Sequence, residues 1–248
     1  MSSQVRLDTL VVERGLAQTR ARARALVLAG HVSVNGKVVE KAGNPTAPTA
    51  FIALTKPDHP YVGRGGVKLV HALDTFGIDT KNRIGLDIGA STGGFTDVML
   101  ARGIKRVVAL DVGHNQLAWK LRNHPDVVVI EGLNARGLRA EMLPVDCRNF
   151  NIITIDVSFI SATRIIERVP ALLQPQADVV VLVKPQFEAG RHEIGKKGVV
   201  LDPIVRQRVV DEVATEAKNI GLRRIGMTQS PITGAQGNHE FFLHLRND

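Results

Sequence analysis

"LDIGASTGGFTD", residues 86–97, runs an apolar strand end into a glycine-rich turn and then toward a helix. That order opens many doubly wound α/β folds, and the spacing inside the turn indicates what it can hold. No G-x-x-x-x-G-K-[ST] is present, which disfavours a phosphate-cradling loop. The dinucleotide spacing G-x-G-x-x-G is missing too, because Gly89 is followed by Ala90, Ser91 and Thr92 before Gly93 and Gly94. Asp87 lies two positions before the first glycine, where its charge would repel a pyrophosphate bound at the helix N-terminus.

A ligand without phosphates suits this turn. S-adenosyl-L-methionine fits, since its sulfonium and ammonium are cationic, its ribose carries a diol and its adenosine can approach a glycine backbone. Asp111 ends the next apolar run, "RVVALD", where a carboxylate can accept hydrogen bonds from ribose hydroxyls. Asn134 follows the third strand and is a candidate for the adenine end. A nicotinamide-dependent oxidoreductase is disfavoured by the glycine spacing.

Outward from the turn, apolar strands near residues 84–89, 106–111, 127–131, 151–156 and 178–183 each precede a helical segment, the pattern of a parallel α/β sheet. "DPIVRQRVVDEVATEAKNIG" reads as a helix with Asp202 as N-cap, Pro203 in its first turn and Gly221 at its end. "LRRIGMTQ" and "EFFLHLR" then follow with no helix between them. The expected fold is therefore α/β and Rossmann-like, a seven-stranded, mostly parallel sheet ending in an antiparallel pair.

The amino-terminal part has a different pattern. "RLDTLVVERG" and "TRARARALVLAG" read as two short helices, "VSVNGKVV" as a hairpin turning at Asn35-Gly36, "NPTAPT" as a loop and "FIAL" as a last strand. "TKPDHPYVGRGG", residues 55–66, is rich in Pro and Gly and reads as a linker. This divides the chain into a small α+β domain over residues 1–58, a linker over 59–66 and a catalytic domain over 67–248.

The 248 residues carry a formal charge of +8 and a single cysteine, Cys147. One cysteine excludes an internal disulfide framework and a cysteine-rich zinc site, and no metal is expected. No secretory signal is visible and no apolar run approaches the ~18 residues of a membrane helix, which favours the cytoplasm. The positive balance favours anionic partners, nucleic acid before membrane. The first 62 residues hold eight Lys/Arg against four Asp/Glu, so a quarter of the chain supplies half of the net charge. Arg20 and Arg24 share a helix face, with Arg6, Arg22, Lys37 and Lys41 nearby, as candidates for RNA phosphates.

Candidate chemistry lies at the carboxyl ends of the strands, where ligands bind in such sheets. Methylation of an exocyclic base nitrogen usually relies on an Asp/Asn-Pro-Pro-aromatic turn, and this chain has "IDVSFIS" in that place. Cys147 precedes the fourth strand and sits in no activated setting. Lys68, Asp156, Lys184 and Glu240, in that order, all fall on the same edge. That order, with "DIGASTGGFTD", looks like the catalytic tetrad and cofactor turn of FtsJ-type ribose 2'-O-methyltransferases. "RLDTLVVERG" with "HVSVNGK" resembles the alpha-L RNA-binding domain. "VGRGGVKL", "IDVSFIS", "VKPQFEAGR" and "SPITGAQGNHEFF" resemble the TlyA family, although Gly63 and His114 stand where many members have Ser and Tyr.

The resemblance implies S-adenosyl-L-methionine-dependent 2'-O-methylation of cytidine in ribosomal RNA, on one or both subunits, with ribosomal RNA as partner and neither DNA nor membrane. It implies cofactor contact for Asp87, Gly89, Ala90, Ser91, Gly93, Gly94, Phe95, Asp111, Val112, Asn134 and Asp156. Lys184 is expected beside the 2'-hydroxyl, either as a base, which requires a lysine pKa far below its usual ~10.4, or as a charged clamp. Arg64, Arg191, Lys196 and Lys197 fall in glycine-rich loops on the same edge and are expected to meet RNA phosphates. The rival readings are a non-catalytic RNA-binding or ribosome-assembly protein and a membrane-damaging protein, the latter suggested by the haemolysin label that the family carries.

Overall fold

The computed structural model describes residues 4–17, 19–55 and 59–247; residues 56–58 of the expected linker lie outside them. In the amino-terminal part, helices α1 (Leu7–Glu13) and α2 (Arg20–Leu28) pack on a three-stranded sheet of β2 (Val32–Val34), β3 (Lys37–Val38) and β5 (Ile52–Leu54). The hairpin turns at Asn35 and Gly36, both with positive φ, as Asn-Gly allows. Pro45–Thr46, expected as loop, forms β4 and pairs with β1 (Val5–Arg6). Turn-rich composition marks a break in the chain but does not exclude a two-residue bridge.

The larger part is a seven-stranded sheet in the order β11-β12-β10-β9-β6-β7-β8. Its strands are β6 (Ile84–Ile88), β7 (Arg106–Asp111), β8 (Val127–Glu131), β9 (Phe150–Ile155), β10 (Leu173–Val183), β11 (Leu222–Gln229) and β12 (Phe241–Asn247). The pairs among β6 to β10 are parallel, while β12 runs antiparallel to both β10 and β11. Alternating side chains separate two cores. Val179, Val181, Leu243 and Leu245 face helix α5 (Pro203–Asn219), whereas Val180, Leu182 and Phe242 face helices α3 (Gly65–Phe76) and α4 (Gly94–Ala101).

Helical segments do not follow every strand. After β8 the chain makes three single 3-10 turns at 135–137, 140–142 and 145–147. Pro144 and the scattered apolar residues there cannot sustain a helical stripe. Helix α3 begins at Gly65, inside the stretch expected as linker, because Gly66 and Gly94 let the starts of α3 and α4 meet. A Cβ on Gly94 would lie 2.9 Å from the Gly66 nitrogen. Glu240 directly precedes the last strand rather than opening it.

The strand order reverses between β6 and β9, and this switch point is where ligands bind in open α/β sheets. Gly89 leaves β6 there with φ +85°, and a Cβ on it would overlap the Asp156 carbonyl. Replacing Gly89 with Ala is expected to cost about 1–3 kcal/mol through the left-handed backbone and this overlap. A urea-melt midpoint equal to the parent's would contradict the close approach.

Candidate active site

Four segments deliver the expected tetrad to one edge of the sheet. Lys68 projects from the first turn of α3, Asp156 follows β9, Lys184 follows β10 and Glu240 precedes β12. They form two ion pairs, Lys68 Nζ with Glu240 Oε2 at 2.6 Å and Lys184 Nζ with Asp156 Oδ1 at 2.5 Å. The Lys184 ammonium also donates to Ser158 Oγ at 2.9 Å. Burial by itself would raise the Asp156 carboxyl, but the ammoniums of Lys184 and Lys68 outweigh it and hold the group below its ordinary value. Both lysines therefore act on one carboxylate. Gly234 leaves room for the Glu240 side chain, which a Cβ there would displace.

Two adjoining cavities open beside this cluster. The smaller, about 190 Å³, is lined by Lys68, Asp156, Gly89, Ala90, Ser91, Gly94 and Phe95, with Arg64 and Glu40 at its amino-terminal wall. The larger, about 390 Å³, is lined by Asp111, Val112, Leu133, Asn134, Val157 and Ile160. Gly89, Ser91 and Asp156 belong to both walls. The larger chamber is mainly apolar with few polar groups, the composition of a small-molecule site. Asp111 accepts from the backbone N–H groups of Ser91 at 2.8 Å and Gly113 at 2.7 Å, which aims its carboxylate while leaving lone pairs for a diol.

Two of the residues expected to touch cofactor lie behind the turn. Asp87 is fully buried and lines neither cavity; it accepts from the Thr96 amide at 2.9 Å and the Thr96 and Thr154 hydroxyls at 2.6 and 3.0 Å. Its role is to cap α4 and hold the turn in place. Gly93, at φ +97°, lines neither cavity and packs against Leu117 and Leu121.

The expected phosphate-binding cations divide in the same way. Arg6 and Arg20 lie on the buried Asp8 at 2.7 and 3.4 Å, and Arg64 pairs with Glu40 at 2.5 Å, joining the two parts of the chain. Arg22, Arg24, Lys37, Lys41, Arg191, Lys196 and Lys197 are exposed. The loop carrying Lys196 and Lys197 is tied to the loop before Glu240, because Asn238 accepts from the Val200 amide and donates to the Gly198 carbonyl.

The sequence reading missed Phe159 and Glu188. Phe159 is 92% exposed with φ +66°, and its ring lies 5.3 Å from that of Phe187, beside Ser158 and Lys184. A bulky residue in the left-handed region is a strained one, often found at functional sites. "IDVSFIS" carries the family resemblance as a string, but no local pattern in it marks the Phe159 side chain. Glu188 holds that loop to the Lys184 segment by accepting from Ser161 Oγ at 2.6 Å and the Ala162 amide at 2.8 Å. Burial raises its carboxyl pKa in spite of these bonds.

Burial likewise pushes the Asp87 carboxyl up to about 7, although the Thr96 and Thr154 hydrogen bonds oppose the shift. A folded pKa above the unfolded ~3.9 means that the folded state holds the proton more tightly. The stabilisation this gives is complete below about pH 4 and is lost as pH rises through about 7. Replacing Asp87 with Asn is expected to remove this slope, worth up to roughly 4 kcal/mol, from a plot of stability against pH between 4 and 8. An unchanged slope would show that another group titrates.

Comparisons with known proteins address the fold and the family. Residues 61–247 match the family described as FtsJ-like methyltransferase, and residues 5–45 match the S4 domain. The chain is 44% identical over 247 residues to the 16S/23S rRNA (cytidine-2'-O)-methyltransferase TlyA of Mycobacterium tuberculosis, covering 99% of this chain and 91% of the relative. A solved structure from Streptococcus thermophilus that carries a hemolysin label is 40% identical, with TM-score 0.77 over 100% of this chain and 90% of that one. The N-methyltransferase NodS of Bradyrhizobium japonicum, solved with S-adenosyl-L-homocysteine, shares the fold alone, at 15% identity and TM-score 0.52 over 77% of this chain and 89% of that one. No helix among the described residues is long and apolar enough to cross a membrane. With its amino-terminal S4 domain and its Lys-Asp-Lys-Glu edge, the chain belongs to the TlyA family of FtsJ-like methyltransferases.

Proposed function

We propose that this protein methylates the 2'-hydroxyl of a cytidine in ribosomal RNA, using S-adenosyl-L-methionine. The observation that carries the reading is the pair of ammonium groups, each held by a carboxylate: Lys68 and Asp156 line the smaller cavity, Asp156 also lines the larger, and Lys184 is joined to both through its pairing with Asp156. The cavities fit the cofactor on their own chemistry. Gly89 offers a wall without a side chain, Asp156 a carboxylate for a cationic centre, and Asp111 spare lone pairs for a ribose diol within an apolar chamber. Asn134 lies farther along the same wall, where an adenine edge would reach it.

When bound, S-adenosyl-L-methionine supplies a methyl group on a positively charged sulfur. A ribose hydroxyl is a weak nucleophile, so the site must stabilise the negative charge that develops on its oxygen. Lys184 stands beside that oxygen, its ammonium aimed by Asp156 and Ser158. Lys68, aimed by Glu240, adds a second positive charge to the same edge. Both pairings favour a charged clamp over a free amine acting as base; transfer would break the sulfonium S–C bond as the O–C bond is made, leaving a neutral thioether, with the hydroxyl proton released to solvent. Phe159 presents an exposed ring beside this centre, on which the base of the target nucleotide can stack.

Replacing Lys184 with Ala is expected to lower methyl transfer to ribosomal subunits by at least about a hundredfold, with cofactor binding intact by calorimetry. Lys184→Arg keeps the charge and is expected to retain measurable turnover. An arginine variant as inactive as the alanine one would instead make the amine a proton acceptor.

The amino-terminal domain supplies exposed cations at Arg24, Lys37 and Lys41; Arg191, Lys196 and Lys197 are exposed too, the latter two on the loop tied to Asn238 just before Glu240. These suit phosphate contacts, which position RNA without reading its sequence. Replacing Arg191, Lys196 and Lys197 together with Ala is expected to flatten the slope of log affinity against log salt by roughly 2 units. A parental slope would remove these three from the interface.

A further inference from the structure

A third cavity, about 350 Å³, lies between the two parts of the chain and takes no part in the chemistry described above. Arg22, Leu26 and His31 form its amino-terminal wall; Gln116, Trp119 and Lys120 are among the residues facing them. Trp119 is the sole tryptophan of the protein and is 73% exposed. An indole left in solvent is unusual, because its apolar area is large and tryptophan is highly buried on average. Arg22 is exposed, and Lys120 is exposed although paired with Asp97 at 2.9 Å. No carboxylate lines the cavity among the described residues, in contrast to the two cavities at the tetrad.

The remaining polar group is His31, whose Nε2 is buried without a hydrogen-bond partner. Burial first, then the neighbouring His59 and Arg22, lower its pKa, so the ring is neutral at physiological pH. A neutral imidazole carries one donor and one acceptor nitrogen and adds no positive charge to this wall of the cavity. An exposed indole, a neutral imidazole and flanking cations together match a flat π system attached to a phosphate.

We propose that this interdomain groove, through Trp119, His31, Arg22 and Lys120, binds one unpaired nucleotide of the substrate RNA, separate from the nucleotide that is methylated. The base stacks on Trp119 and the adjoining phosphate lies between Arg22 and Lys120. Stacking of this kind tolerates any base, since every base has a π face. The groove shares its walls with the cofactor site. Thr92 also lines the smaller catalytic cavity and Gln116 the larger one, and Gln116 contacts the Ser91 hydroxyl at 3.2 Å. A nucleotide seated here therefore touches both domains and rests one residue layer from the cofactor turn.

The inference rests on the RNA-directed reading above, and the test separates the two. Because Trp119 is the sole tryptophan, its intrinsic fluorescence reports on the groove in the full chain. Titration with a short unlabelled cytidine oligoribonucleotide is expected to quench it saturably. The labelled oligonucleotide, followed by anisotropy, is expected to bind Trp119→Ala at least about fivefold more weakly than the parent, the lower end of measured stacking contributions. Trp119→Phe, which keeps a ring, is expected to recover most of the affinity, and Arg22→Ala to weaken binding with a shallower salt dependence. Trp119 is exposed, so an unchanged thermal melt is expected for its variants. An oligonucleotide that binds by anisotropy without quenching, or binds Trp119→Ala as tightly as the parent, overturns the groove and leaves the RNA reading standing. No binding to the parent chain, together with no methyl transfer to ribosomal subunits, overturns both.

Discussion

Two like-charged ammonium groups share one edge of the sheet because each is neutralised by its own largely buried carboxylate. Lys68 lies against Glu240 and Lys184 against Asp156, with neither lysine more than 11% exposed. Without the carboxylates, two cations at this depth would repel each other and lose their hydration, and breaking a buried pair typically costs about 3–5 kcal/mol. The pairs therefore orient the site and also constrain the fold. They link α3, β9, β10 and β12, elements far apart in the chain, at the place where the sheet reverses its order.

The surrounding architecture serves the same arrangement. The glycines at 65, 66 and 94 let two helix starts pack closely enough for Lys68 to reach Glu240. Asp87 holds the glycine turn from behind, buried away from solvent and from both cavities. Glu188 and the Phe159–Phe187 contact bind the loop after Asp156 to the segment after Lys184. The strain at Phe159 is thus maintained by neighbours on both sides. A side chain so exposed and so constrained gains little for the core, which is consistent with a role toward a partner.

The two parts of the chain meet through Arg64 and Glu40 and across cavities to which both contribute. This places the basic amino-terminal domain on the same side as the reactive edge. Under the proposed function, the domain that carries half of the net charge would hold an RNA while the lysine–carboxylate pairs face one of its riboses. The charge divides unevenly: some cations, such as Lys68 and Lys184, are largely buried against a carboxylate, while others, paired or not, keep much of their side chain exposed.

Much of the architecture was legible because period and punctuation are local. Alternating apolar residues, Asn35-Gly36, the Asp202-Pro203 cap and the glycine turn each constrain only their own neighbours, and the structure places strands, hairpin, helix and turn accordingly. The order Lys68, Asp156, Lys184, Glu240 could be listed from the sequence because strand ends on one side of a parallel sheet share an edge. Which cation meets which carboxylate could not, since those partners are separated by up to 172 positions and meet only when the sheet is assembled. The same holds for Asp87, read as facing the ligand and found beneath the turn, and for the carboxylates Asp8 and Glu40 that Arg6, Arg20 and Arg64 meet while keeping much of their side chains exposed. The sequence by itself determined the elements and the chemical groups at their ends. The tertiary structure decided which of those groups face a ligand and which face each other, because that depends on burial and on distances between segments that no local pattern encodes.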